Sequence, residues 1–263
     1  MFPTAEEIYI RLGFFITVLA AMGTLERTTP RRELVTSKGR RWFSNLSISI
    51  IDSVSVRWTI PVAATGMAIL SAERGWGIFH MMEIPGPAAG LITLAVLDLI
   101  IYLQHFMFHH VPLFWRVHRM HHTDLDIDVT TGVRFHPFEI LLSMGIKIAA
   151  VAALGPPPWS ILVFEVLLNA TSLFNHSNVF IPSGFDRVLR LLVVTPDMHR
   201  VHHSVIIKET NSNFGFNFPW WDRLFGTYRA QPVKGHTGMV IGLADFRDPE
   251  KLTLLRLLAI PFR

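Results

Sequence analysis

Two near-identical runs carry most of the chemistry this chain can do. His118-Arg119-Met120-His121-His122 recurs 81 positions later as His199-Arg200-Val201-His202-His203, and a pair, His105 and His109, precedes the first run. On a helix, residues four apart lie about 40° apart around the axis and residues three apart about 60°. His105 and His109 therefore share a face. The first, fourth and fifth residues of each pentad fan over about 100°, while Arg119 and Arg200 point elsewhere. Each cluster offers two or three imidazoles to one point. Neutral imidazole is the commonest protein ligand for first-row transition metals. Eight clustered imidazoles exceed what one ion needs; two adjacent metals, each with four or five ligands and open positions, use them naturally.

Two further histidines fall at the same level. His176, in Phe174-Asn175-His176-Ser177-Asn178, sits where an apolar stretch ends, and His136, in Arg134-Phe135-His136-Pro137, sits where one begins. The candidate metal ligands are thus His105, His109, His118, His121, His122, His136, His176, His199, His202 and His203. His80, His110 and His236 stand alone and read as packing or hydrogen-bonding residues. The chain has no cysteine, which excludes disulfides, iron–sulfur clusters and thiolate ligands.

The elements that must position these residues are apolar. Of 263 residues, half are hydrophobic and 17% charged, with a mean hydropathy of +0.37; an ordinary soluble domain carries about 25% charged residues. The net charge of +4 does not suggest nucleic acid. Five apolar stretches run Ile8–Leu25, Leu46–Leu70, Pro87–His105, Phe138–Leu154 and Pro157–Asn175, close to the roughly 20 residues a bilayer core requires. The second is weakest, carrying Asp52, Arg57 and Pro61. Gly155-Pro156-Pro157-Pro158 separates the last two into a hairpin. The start of the chain lacks a basic segment and a small-residue cleavage site, so the first stretch reads as a retained helix rather than a signal peptide.

These features predict a single-domain, all-α integral membrane protein over 1–263. About four transmembrane helices fall within 8–25, 46–70, 87–105 and 138–175. A cytoplasmic, histidine-rich helical cap holds a di-metal centre, with metal-binding segments at 105–136 and 176–230. The sidedness comes from Arg27, Arg31, Arg32, Lys38, Arg40 and Arg41, because basic loops stay cytoplasmic. That topology carries every clustered histidine to the cytoplasmic end. Three charges lie inside predicted spans: Asp98, Lys147 and Glu165. Asp98 lies on the stripe of His105 and His109, about 10 Å deeper. It reads as an ion pair with Lys147, a role in holding the metal-bearing helix being the alternative. Arg116, Arg119 and Arg200 read as solvated interfacial residues, a hold on a lipid head group or on an acidic electron-transfer partner being the alternative. The C-terminal stretch Leu252–Leu258 is amphipathic, suited to the membrane surface or to packing on the cap.

The boxes His105-x-x-x-His109, His118-x-x-His121-His122 and His199-x-x-His202-His203 resemble those of the fatty acid hydroxylase/sterol desaturase superfamily. The flanks Pro112-Leu113-Phe114-Trp115-Arg116, His136-Pro137-Phe138-Glu139 and Thr195-Pro196 agree. So do Asn213-Phe214-Gly215 and Trp221-Asp222-Arg223-Leu224-Phe225-Gly226-Thr227-Tyr228. The resemblance covers roughly residues 40–230. Only eight residues separate His109 from His118, which favours the sterol-desaturase type over the acyl-lipid desaturases. Where some relatives carry one more histidine, a few residues before the one matching His176, this chain has Ala170, Thr171 and Ser172. His136, Asn175 or a water is left to complete the set.

The resemblance implies a membrane non-haem di-iron oxygenase with two Fe ions (Zn a possible substitute in purified protein) that uses O2. Its substrate would be a membrane lipid, hydroxylated or desaturated according to how the carbon is positioned. There is no G-x-G-x-x-G, no H-E-x-x-H and no fused haem domain. Electrons would come from a separate reductase chain through an external electron-transfer protein. The competing readings are a haem-binding membrane electron carrier and a zinc-dependent membrane hydrolase.

Overall fold

The computed structural model describes residues 4–263. Among the described residues the regular elements are all helices, with isolated bridges only at Pro30–Val179 and Ser204–Ile241. The membrane part comprises α1 (Ala5–Thr28), α2 (Lys38–Thr59), α3 (Ala64–Arg74), the single turn α4 (Ile78–Met81), α5 (Gly86–His110), α7 (Pro137–Leu154) and α8 (Pro158–Asn175). The cap comprises α6 (Pro112–His122), α9 (Ser183–Leu189), α10 (Pro196–His202), α11 (Ile207–Thr210), α12 (Trp220–Leu224), α13 (Gly235–Gly238) and α14 (Leu254–Leu258).

Four helical stretches are long and apolar enough to cross a bilayer: α1, the stretch Lys38–Met81, α5 and α7. The chain is an integral membrane protein. In α1 only Gly23 and Glu26 are fully buried; one side of the helix is half-buried and the rest faces outward. Its first turn holds Glu6 and Glu7 and its last Arg27, matching the helix dipole. The predicted second span is broken. Ile60 is extended and Pro61 cannot continue the helix, so α2 ends at Thr59 and α3 restarts at Ala64. The Gly-Pro-Pro-Pro stop behaves as expected: Gly155 adopts a left-handed conformation at φ +65° and closes α7. α8 matches α7 in length but carries Glu165, Asn169 and Asn175 and is not among the four.

α8 packs against α1, α3 and α5, while α7 packs against α2 and α3. Their shared core is built from Ala64, Ala68, Leu97, Ile101, Val151, Ile161 and Phe164. A second core joins Ile48 of α2 and Met120 of α6 to Leu257 and Ile260. The C-terminal stretch is therefore packed on the cap, its apolar face covered by protein. Arg116 and Arg119 bind the carbonyls of Pro261 and Ile260, and Arg200 binds Asp197 and the carbonyl of Ser177. All three hold the cap together instead of lying free at the interface.

The charges inside the membrane part pair differently from expectation. Lys147 bonds Glu165 at 2.6 Å, and Glu165 also receives Arg11 of α1. Asp98 bonds neither; it accepts from Trp221 Nε1 at 2.8 Å and from the backbone of Asn217 and Phe218 at 3.2 and 3.3 Å. It ties α5 to the cap. The basic segment between α1 and α2 is likewise paired. Arg41 holds Asp124 at 2.7 Å and Asp128 at 2.6 Å, Lys38 holds Glu26, and Arg31 holds Asp197. Of the charges from which sidedness was read, Arg41 clasps α2 to the acidic turn 124–128, and Lys38 and Arg31 tie other parts of the chain together.

Candidate metal centre

A proline places the first two histidine clusters on consecutive helices. Pro112 forces Val111 into an extended conformation, ending α5 just after His109 and His110 and starting α6, which ends in His118, His121 and His122. α10 is capped by the Thr195 side chain and ends in His199, His202 and His203. His176 is the C-cap of α8.

These residues converge into two groups. His105, His109, His118, His122 and His202 form one; His121, His176, His199 and His203 form the other. Within each group one ring nitrogen per residue lies within 4.8 Å of the rest. Each pentad serves both groups: neighbours His121 and His122 part company, as do His202 and His203. The two groups are therefore one centre, and all nine rings are buried.

His136 joins neither. Its Nδ1 accepts from Phe138 N at 3.2 Å, capping α7, and its Nε2 donates to the carbonyl of Leu258 at 3.1 Å. Both nitrogens are occupied, and the candidate ligand becomes a helix cap that fastens the C-terminal stretch. Asn175, the other residue left to complete the set, donates through Nδ2 to the carbonyl of Phe216, while its Oδ1 is buried without a partner.

Backbone and carboxylate acceptors fix the tautomers. His105 Nδ1 lies 2.8 Å from the carbonyl of Phe214, His202 Nδ1 2.8 Å from that of Ser212, and His118 Nδ1 2.7 Å from Glu139 Oε1. His109 Nδ1 meets Asn211 Oδ1 at 3.2 Å. Such oxygens only accept, so Nδ1 carries the proton and Nε2 keeps its lone pair. The Nε2 atoms of His105, His109, His118, His122 and His202 are buried with no protein partner. In the second group, His121 Nδ1 donates to the carbonyl of Arg134 and His176 Nδ1 to that of Ser172. Their Nε2 lone pairs then face each other at 3.1 Å, with His199 Nε2 3.0 Å from His176. Lone pairs confront each other at that distance only where a cation lies between them. Metal ions fit both groups.

Electrostatics favour the ligating form. Burial, reinforced by neighbouring imidazoles, holds His121, His122, His199 and His203 well below the usual imidazole range. Burial lowers His202 to about 3 and His176 to about 4. All six are neutral at pH 7. No carboxylate joins either group among the described residues, which sets this donor set apart from carboxylate-bridged di-iron bundles. Imidazole suits iron, zinc, copper and nickel alike, so the donors point to a class of metals.

The supporting residues were hidden from spacing arguments. Asp222 accepts from the backbone of Phe214 and Gly215 at 2.8 Å each and so aims the carbonyl of Phe214 at His105. A Cβ on Gly215 would sit 2.7 Å from Asp222 Oδ2 and 2.8 Å from the carbonyl of Phe218, hence the glycine. Asn213 adopts φ +55° and donates to the carbonyls of Met198 and Arg229. The signature Asn213-Phe214-Gly215 with Trp221-Asp222 thus has a geometric role, for which an Asn-x-Gly turn was the available hint. Beside the first group lies a cavity of about 360 Å³ that reaches His105 and His118 and extends between α2, α5, α7 and α8.

The model of the fatty acid hydroxylase family matches residues 90–227, more than half of the chain. An ornithine lipid hydroxylase of Rhizobium tropici is 25% identical over 232 residues, 86% of this chain and 69% of that protein. The alkylglycerol monooxygenase of Homo sapiens is 27% identical over 190 residues, 70% of this chain but only 41% of its own length. The cholesterol 25-hydroxylase of Rattus norvegicus is 30% identical over 144 residues, 54% of this chain and 47% of that protein. No solved structure matches. On the family match, and with each of its histidine boxes buried in one centre, the chain belongs to the fatty acid hydroxylase family.

Proposed function

We propose that the chain is a membrane lipid oxygenase that binds two iron ions, one in each histidine group, and oxidises a lipid entering from the bilayer. The observation that carries this reading is the convergence of nine buried imidazoles into one centre, two of which, His105 and His118, line a cavity between membrane helices. Iron bound there supplies the capacity to activate O2 and attack an unactivated C–H bond. In hydroxylation one oxygen atom enters the lipid and the other leaves as water; in desaturation two hydrogens leave the lipid and both oxygens become water. Both balances need two electrons from outside, here assigned to a separate electron-transfer protein. The centre would face the cytoplasm.

The chain's own residues do the positioning. Glu139, Asn211 and the carbonyls of Phe214 and Ser212 fix the ring orientation of four ligands. The cavity walls would present the substrate carbon to the first group. A bis-histidine haem would need a flat slot for its macrocycle; five donors within 4.8 Å of one another leave none.

The test is purification with iron supplementation, metal analysis, and lipid profiling of cells with and without the gene and with His121→Ala. The reading expects about two metals per chain, a figure set by the two groups, and one lipid oxidised only by the wild type. O2-independent ester cleavage with zinc would reverse it. Zinc found alone after expression would not, since zinc readily occupies imidazole sites.

A further inference from the structure

The cavity beside the first histidine group holds polar atoms that the protein leaves unpaired. Gln104 of α5 has neither Oε1 nor Nε2 bonded, Asp52 of α2 has Oδ1 free, and Glu139 of α7 has Oε2 free. All three residues are at least nine-tenths buried, and all three line the cavity. Buried polar atoms are paired as a rule, so a cluster of four without protein partners marks where a ligand supplies the missing bonds.

The rest of the cavity is different. Arg11 and Lys147 also line it and both bond Glu165, and Arg11 Nη2 bonds Thr65 at 3.0 Å, so that Arg11 Nε is the one buried atom of this trio left without a partner. Lys147 lies eight residues beyond Glu139 on α7, about 12 Å along the axis. The unpaired carboxylate and amide atoms are therefore gathered at the histidine end: Glu139 is itself bonded to His118, and Gln104 precedes His105.

We propose that Gln104, Asp52 and Glu139 bind a hydroxyl group of the lipid substrate beside the metal centre, with the chain leaving between α2 and α7. The inference rests on the oxygenase reading and specifies its substrate class. Three of the unpaired atoms are acceptors and one is an amide donor, which calls for a group that donates and accepts. Asp52 and Glu139 disfavour an anion, while Arg11 and Lys147 in the same cavity disfavour a cation. A hydroxyl meets all four conditions; an ether, having no donor, does not. The rim is open between α2 and α7, where Ser53 is exposed and Ser49, Val56 and Ser143 are half-buried, and at the exposed Asn169 of α8, whose amide bonds the carbonyl of Glu165; the exit is assigned to the α2–α7 side.

The test uses the full-length, metal-loaded protein in detergent, anaerobic and unreduced, so that binding is read without turnover. The probes are radiolabelled hexadecanol, hexadecyl methyl ether and hexadecane. Hexadecanol is expected to bind at least about tenfold more tightly than the ether, the scale of one or two buried hydrogen bonds. Gln104→Leu and Asp52→Leu should each erase most of that ratio while still binding hexadecane. Equal wild-type affinities for alcohol and ether, or variants that keep the full preference, would overturn the proposal. If a variant no longer holds hexadecane, the wild-type ratio decides alone. A retained alcohol preference in a protein that oxidises no lipid would overturn the proposed function and leave the hydroxyl site standing.

Discussion

Replacing Glu139 with glutamine removes a charge but no atom from the contact that orients His118. Glu139 Oε1 lies 2.7 Å from His118 Nδ1, with both side chains buried at 6% and 1% exposure. Glutamine can still accept that proton through its own Oε1, so ring tautomer and direction persist. What disappears is the charge assistance. Hydrogen bonds to charged groups contribute about 1.5–3 kcal/mol against about 1 kcal/mol for neutral ones, a difference of about 0.5–2 kcal/mol. At 1.4 kcal/mol per tenfold this weakens the metal held with His118 by about 2–30-fold. His121, His176, His199 and His203 make no bond to Glu139, so the other metal should be unaffected. The assay is equilibrium dialysis against graded chelator with metal per chain read by mass spectrometry. One metal should leave the variant at a free-metal concentration raised by that factor, and the other at the wild-type value. An equal shift of both metals, or no shift, would refute the assignment of Glu139 to one group.

Asp98→Ala strands Trp221 Nε1 and the backbone N–H groups of Asn217 and Phe218, and chemical unfolding should show a loss of about 2–4 kcal/mol; a loss under about 1 kcal/mol would show that the α5–cap tie is incidental. His136→Ala removes a cap and a bond to Leu258, so stability should fall by about 0.5–2 kcal/mol while metal content stays at the wild-type value, and loss of a metal would restore His136 as a ligand. Gly132→Ala sets a Cβ 2.5 Å from the backbone oxygen of Ser172, which receives His176 Nδ1. It should cost about 1–3 kcal/mol and lower occupancy of the His121 group first, as metal analysis would reveal.

The histidine groups were legible because helical spacing is local: residues three and four apart must share a face whatever surrounds them. Which pentad residue joins which group was not, since that depends on how α5, α6 and α10 meet. His136 misled for a related reason. Its level along the chain was right, but Pro137 at the start of α7 marks the preceding residue as a cap, and a cap uses its side chain locally. Asp98 and Lys147 were paired on depth alone, while the true partners lie about 120 residues away for Asp98 and on α8 for Lys147. The turn 124–128 carries three aspartates, Asp124, Asp126 and Asp128, to which sequence spacing assigned no partner. Only the fold brings Arg41 against two of them, and burial of Asp124 is outweighed by Arg41 and Arg134, holding its carboxyl at about 2.

The most direct test of the central claim, two histidine-held metals that oxidise a lipid, is lipid mass spectrometry of cells grown under isotopically heavy O2. Cells would express the wild type or a His199→Ala, His202→Ala double variant. The account predicts one lipid that carries a single oxygen atom from O2, or lacks two hydrogens, in wild-type cells only. No lipid difference between the two, or a product whose new oxygen comes from water, would contradict it.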